Sequence, residues 1–121
     1  MRVVEIELLF WDGCPSHPAA LADLRAALAE LAPGVQPPVR LVEIDSEAQA
    51  ARERFVGSPT VRIDGVDAFP VAPDEPTALN CRVYRLRDGR YSPTPDPDDL
   101  RDALRGALQP PADHLRPASE A

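Results

Sequence analysis

An apolar run from Val3 to Phe10 is broken by Asp12-Gly13-Cys14-Pro15, and an alanine- and leucine-rich stretch with helical spacing follows at once. Strand, turn and helix in that order, with another strand to come, call for a right-handed crossover and a parallel pair of strands. The same junction carries one of only two cysteines in the chain. A helix N-terminus presents unpaired backbone N–H groups and a partial positive charge, and both favour thiolate over thiol.

The run Val3 to Phe10 (VVEIELLF) alternates in part and is rich in valine, isoleucine and leucine, so it predicts a mostly buried first strand. From Pro15 to Leu31, the residues Ala20, Leu21, Leu24, Leu28 and Leu31 recur at spacings of three and four, which predicts an amphipathic helix. Pro15 and Pro18 are tolerated only in its first turn, where a missing N–H costs little, and Pro33-Gly34 stops it. Pro37-Pro38 leads into a second strand, Val39 to Ile44, and Ser46 with Gln49 forms a capping-box signature for a short helix to Phe55.

Gly57-Ser58-Pro59 interrupts the chain before a third strand, Thr60 to Ile63, and Asp64-Gly65 is a turn. Cys81 to Leu86 (CRVYRL) reads as the fourth strand, with the Asp88-Gly89 turn behind it. Between them, Val66 to Asn80 contains Pro70, Pro73 and Pro76, and a loop of that length in a compact domain is often functional. Asp96 or Asp98 can cap a last helix to Leu108, whose Leu100, Ala103, Leu104, Ala107 and Leu108 share a face. The expected organisation is one domain over residues 1–108 and a disordered, proline-rich tail over 109–121.

Composition excludes several classes of function. The formal net charge of −7 opposes binding to a phosphate backbone or an anionic membrane, so neither nucleic acid nor membrane is an expected partner. All 13 basic residues are arginine, which removes lysine Schiff bases and any phosphate loop ending in Gly-Lys-Ser/Thr. No run approaches a membrane span, and Glu5 and Glu7 interrupt the first apolar stretch, so a cytoplasmic location is expected. Two cysteines in a reducing compartment point to free thiols.

The element order, the cysteine opening the first helix and Ser58-Pro59-Thr60 entering the third strand together resemble the thioredoxin-like superfamily. The likeness is closest to small bacterial thioredoxin-like proteins that share Gly13-Cys14-Pro15, Phe55-Val56-Gly57-Ser58-Pro59-Thr60, Asp64-Gly65 and Cys81-Arg82-Val83-Tyr84. Some of these carry names borrowed from alkylmercury lyases. The resemblance implies an α/β fold of glutaredoxin type (βαβαββα), a central mixed four-stranded sheet with helices on both faces. It also implies a cis Pro59 beside the active Cys14, and a groove bordered by Trp11, Pro15, Ser58 and Thr60.

One departure from the family pattern bears on mechanism. His17 stands where a dithiol oxidoreductase of this kind carries its second cysteine, so the expectation is a monothiol protein. Cys14 would attack a disulfide or take up a thiol adduct, with a protein disulfide or a small-molecule thiol as partner and no cofactor. His17 is three residues from Cys14, and either manages the proton of the sulfur or is a first-turn histidine with no role. The alternatives are a redox-inactive binding module for a protein partner, or soft-metal or mercury binding through Cys14 and a partner thiol. Cys14 and His17 supply only two ligands and His114 lies in the tail, so no dedicated zinc site is expected. In the implied topology Cys81 begins the fourth strand at the end remote from Cys14. That places it roughly 13–17 Å away, too far for a Cys14–Cys81 disulfide.

Overall fold

The computed structural model describes residues 4–108, so the expected tail over 109–121, His114 included, lies outside the described residues. The chain runs through β1 (Ile6–Phe10), α1 (His17–Leu31), β2 (Val39–Glu43), α2 (Glu47–Glu53), β3 (Thr60–Ile63), β4 (Val66–Asp67), β5 (Tyr84–Arg85), β6 (Tyr91–Ser92) and α3 (Pro97–Leu108). Four of the strands form a mixed sheet in the order β2-β1-β3-β4. β1 is parallel to β2, and the β1–β3 and β3–β4 pairs are antiparallel.

Alternation along β1 sends successive side chains to opposite faces of the sheet. Ile6 and Leu8 face one way and join Val61 of β3, Ala20, Leu24, Ala27 and Leu28 of α1, and Leu100 and Leu104 of α3. Leu9 faces the other way and packs with Ile44, with Ala50 of α2 and with Phe55. The protein is therefore a mixed α/β fold, with α1 and α3 over one face of the sheet and α2 over the other. Each large apolar side chain withdrawn from water in these two clusters contributes about 1.5–3 kcal/mol.

Local chemistry sets the element ends. Ser46 accepts a hydrogen bond from the Gln49 N–H and so caps α2, which stops at Glu53 because Arg54 turns left-handed at φ 57°. Phe55 thus leaves the helix for the core instead of ending it. Asp64 (φ 53°) and Gly65 (φ 81°) form the two-residue turn between β3 and β4, as right-handed strand twist favours. The Asp96 carboxylate accepts from the Asp98 and Asp99 amides at the start of α3.

Two sequence expectations are corrected. The first helix begins at His17, not at Pro15: the Cys14 N–H turns back to the Trp11 carbonyl at 3.0 Å, and of the two prolines only Pro18 lies in the first turn. The fourth strand of the sheet is Val66–Asp67, not Cys81–Leu86. The tight turn returns the chain onto β3 at once, and Tyr84–Arg85 pairs instead with Tyr91–Ser92 in a separate hairpin.

That second change relocates Cys81. After β4 the proline-rich segment travels back along the sheet, where the Ala78 amide donates to the Phe55 carbonyl and the Ser58 amide to the Asn80 carbonyl. Ser58 and Cys81 then form a parallel bridge, and the Arg82 amide donates to the Ser58 carbonyl at 2.8 Å. The expectation that Cys81 lies remote from Cys14 is overturned, because Ser58 is also the residue whose carbonyl meets the Cys14 sulfur.

Candidate thiol site

Cys14 sits in the turn between β1 and α1 and is only 1% exposed. Its sulfur lies 3.1 Å from the Ser16 hydroxyl and 3.5 Å from the Ser58 carbonyl, to which the thiol donates. Ser16 occupies the N-cap position of α1, yet its side chain makes no cap hydrogen bond. The hydroxyl that sequence logic would assign to the helix amides is turned to the sulfur instead.

Burial pushes the Cys14 thiol up, but the Cys81 thiol, the Ser16 hydroxyl and amide and the Ser58 hydroxyl, each able to donate to an ionised sulfur, outweigh it. The net shift is downward, toward thiolate. Cys81 is held above its ordinary value, first by donating to Cys14, then by burial and by the charge on Cys14. Both cysteines are free thiols, and Cys81 is exposed.

Ser58 takes part twice. Its carbonyl accepts from the neutral Cys14 thiol, while its hydroxyl is fully buried with no hydrogen-bond partner of good geometry. A buried hydroxyl without a partner costs about 1–3 kcal/mol. Ionised Cys14 offers the acceptor that this hydroxyl lacks, which is why Ser58 stands among the groups that lower the thiol.

The peptide bond between Ser58 and Pro59 is cis, and Pro59 is fully buried. The Pro59 carbonyl accepts the Tyr84 hydroxyl, and burial raises the Tyr84 phenol far above its usual range. Thr60 is 2% exposed and donates its hydroxyl to the Gly57 carbonyl at 2.6 Å, so it holds the turn from within. Pro15 is exposed, and Trp11 is half-buried with its indole over Gly13, where an added Cβ would lie 2.3 Å from the ring.

His17 is turned away from the sulfur. Its ring stacks on Phe10 with centroids 4.2 Å apart, and Nδ1 lies 3.3 Å from the Cys14 carbonyl oxygen. The imidazole therefore braces the loop that carries Cys14.

Sequence reasoning missed Ser16, Gly57 and Arg82, and misplaced Cys81. Gly57 has φ 152°, and a Cβ there would meet Asn80 Oδ1 at 2.8 Å and Arg82 Cβ at 2.9 Å. Only glycine lets the Cys81 segment lie this close. Arg82 is 8% exposed and pairs with Asp67 at 2.9 Å, donates to the Thr60 hydroxyl and lies 4.7 Å from the Tyr84 ring centroid. It anchors Cys81 to β3 and β4. The alternation of Arg82 and Tyr84 inward with Cys81 and Val83 outward was the signal available in Cys-Arg-Val-Tyr.

Among the described residues, no group of three or more histidine, cysteine or acidic side chains could hold a metal ion, and no helix is long and apolar enough to cross a membrane. Compared with protein-family models, curated proteins and solved structures, the chain matches none of them.

Proposed function

We propose that this is a thioredoxin-like thiol protein in which Cys14, as thiolate, attacks a disulfide of a protein or small molecule. The single observation that carries the proposal is the setting of Cys14 Sγ, 3.1 Å from the Ser16 hydroxyl and against the Ser58 backbone, where the surrounding groups favour the ionised form despite burial. A buried cysteine with no such role behaves as a small hydrophobe, and its thiol is raised, not lowered. The strand order β2-β1-β3-β4, the parallel β1–β2 pair and the cis bond before Pro59 add support for the thioredoxin-like assignment.

One observation favours a binding module instead, namely that Cys14 is 1% exposed. Its cover includes Ser16 and the exposed Cys81, which belong to loops.

The test is the pH dependence of iodoacetamide alkylation at Cys14, read by peptide mapping in the wild-type chain so that Cys81 stays in place, with Cys14→Ser as the blank. A midpoint below the usual value of about 8.5 is expected. A midpoint at or above that value would return the site to a structural cysteine.

A further inference from the structure

We infer that Cys81 is the resolving thiol of this site, so that Cys14 and Cys81 form a dithiol–disulfide pair assembled across Ser58 instead of within a Cys-x-x-Cys helix turn. The inference rests on the proposed reactivity of Cys14 and adds the partner that completes its cycle.

Three features of the structure place the second thiol. Cys81 pairs with Ser58 in a parallel bridge, and the carbonyl of that same Ser58 accepts the Cys14 thiol at 3.5 Å. The approach is held from both sides, by Gly57, where any Cβ would strike Asn80 and Arg82, and by Arg82, anchored on Asp67 and Thr60. The two thiols are also close enough to influence each other, Cys14 being lowered and Cys81 raised by the other's presence. A resolving thiol needs that proximity, because it must attack the sulfur that carries the adduct.

The two thiols also differ in the way a sequential mechanism requires. Cys14 is the buried thiol whose ionised form the site stabilises, and Cys81 is exposed and holds its proton. The first step is attack of the Cys14 thiolate on a disulfide RS–SR′, which forms Cys14–S–SR and releases R′S⁻. Loss of the Cys14 negative charge then removes one cause of the raised Cys81 value, so Cys81 ionises more readily once the adduct has formed. Its thiolate attacks Cys14 Sγ, the internal disulfide forms and RS⁻ departs. The two protein thiols lose two electrons, the substrate disulfide gains them, and an external dithiol restores the reduced pair.

The experiment treats the reduced full-length chain with one equivalent of hydroxyethyl disulfide, quenches with acid and follows intact mass and a non-reducing peptide map. In the wild type, a transient adduct on Cys14 should give way to a Cys14–Cys81 cross-link, with the chain lighter by two hydrogens. Cys81→Ser should stop at a persistent mixed disulfide on Cys14. A wild-type chain that keeps the same adduct as Cys81→Ser, with no cross-link, would overturn the role of Cys81 while leaving Cys14 as the reactive thiol. No adduct on Cys14 in Cys81→Ser, with Cys14→Ser reacting as fast as wild type, would overturn the Cys14 proposal and this one with it.

Discussion

The Ser16 hydroxyl lies 3.1 Å from the Cys14 sulfur and makes no cap for the helix that Ser16 begins. Sulfur and helix compete for one side chain, and the sulfur has it. Ser16→Ala should therefore act on the thiol more than on the fold. A hydrogen bond to a charged group is worth about 1.5–3 kcal/mol, which corresponds to roughly one pKa unit or more. The alkylation midpoint of Cys14 should rise by about one unit. Stability to urea should fall by less than the ~1 kcal/mol typical of a lost serine cap. An unmoved midpoint with a full cap's loss of stability would mean that the hydroxyl serves the helix.

The opposed shifts of the two cysteines predict how stability follows pH under reducing conditions. Cys14 has a folded value below its unfolded one, so its contribution is present above the unfolded value and lost as pH falls through the folded one. Cys81 is raised, so its contribution is full below the unfolded value and lost as pH rises through the folded one. Urea midpoints should climb as pH approaches the ordinary thiol range, then turn down beyond it. Because the Cys81 shift comes first from Cys14, Cys14→Ser should flatten both limbs. Limbs that survive in Cys14→Ser would assign the dependence to other groups.

Much of this architecture is legible locally. Thr60 to Ile63 forms a strand with the bounds its sequence predicts, and Ser46 with Gln49 marks the start of α2. These elements follow from periodicity and caps within a few residues of each end. The position of Cys81 has no such local cause. It depends on whether the chain makes its fourth strand directly after Asp64-Gly65 or after the prolines, and on two cohesive contacts far apart in sequence, Gly57 with Arg82 and Arg82 with Asp67. Ser16 is missed for a different reason: with the helix expected from Pro15, it falls inside the first turn, and only the fold of the loop brings its hydroxyl to the sulfur two residues back.

Gly57 governs that long-range approach. Gly57→Ala places a Cβ 2.9 Å from Arg82 Cβ and forces a side chain onto φ 152°. Backbone strain of this kind costs about 1–3 kcal/mol, and relief comes by moving the segment that carries Asn80, Cys81 and Arg82. The variant should lose that much stability to urea. It should also lose Cys81 as a donor, which raises the alkylation midpoint of Cys14. Unchanged values on both measures would show that the Cys81 segment is held by Arg82 alone.

His17 offers the sharpest separation of support from chemistry. Its ring stacks on Phe10 at 4.2 Å with 20° between the planes, and Nδ1 faces the Cys14 carbonyl, not the sulfur. An aromatic pair of this kind is worth about 0.5–1.5 kcal/mol beyond the area it buries. His17→Ala should cost about 1 kcal/mol of stability, and His17→Phe, which keeps a ring on Phe10 but has no nitrogen, should recover most of it. Neither change removes a donor from Cys14 Sγ, so in His17→Phe the alkylation midpoint should move by less than in Ser16→Ala. If His17→Phe instead raised the midpoint as far as Ser16→Ala does, the imidazole would reach the sulfur in solution, and His17 would join Ser16 as a group that manages the thiol proton.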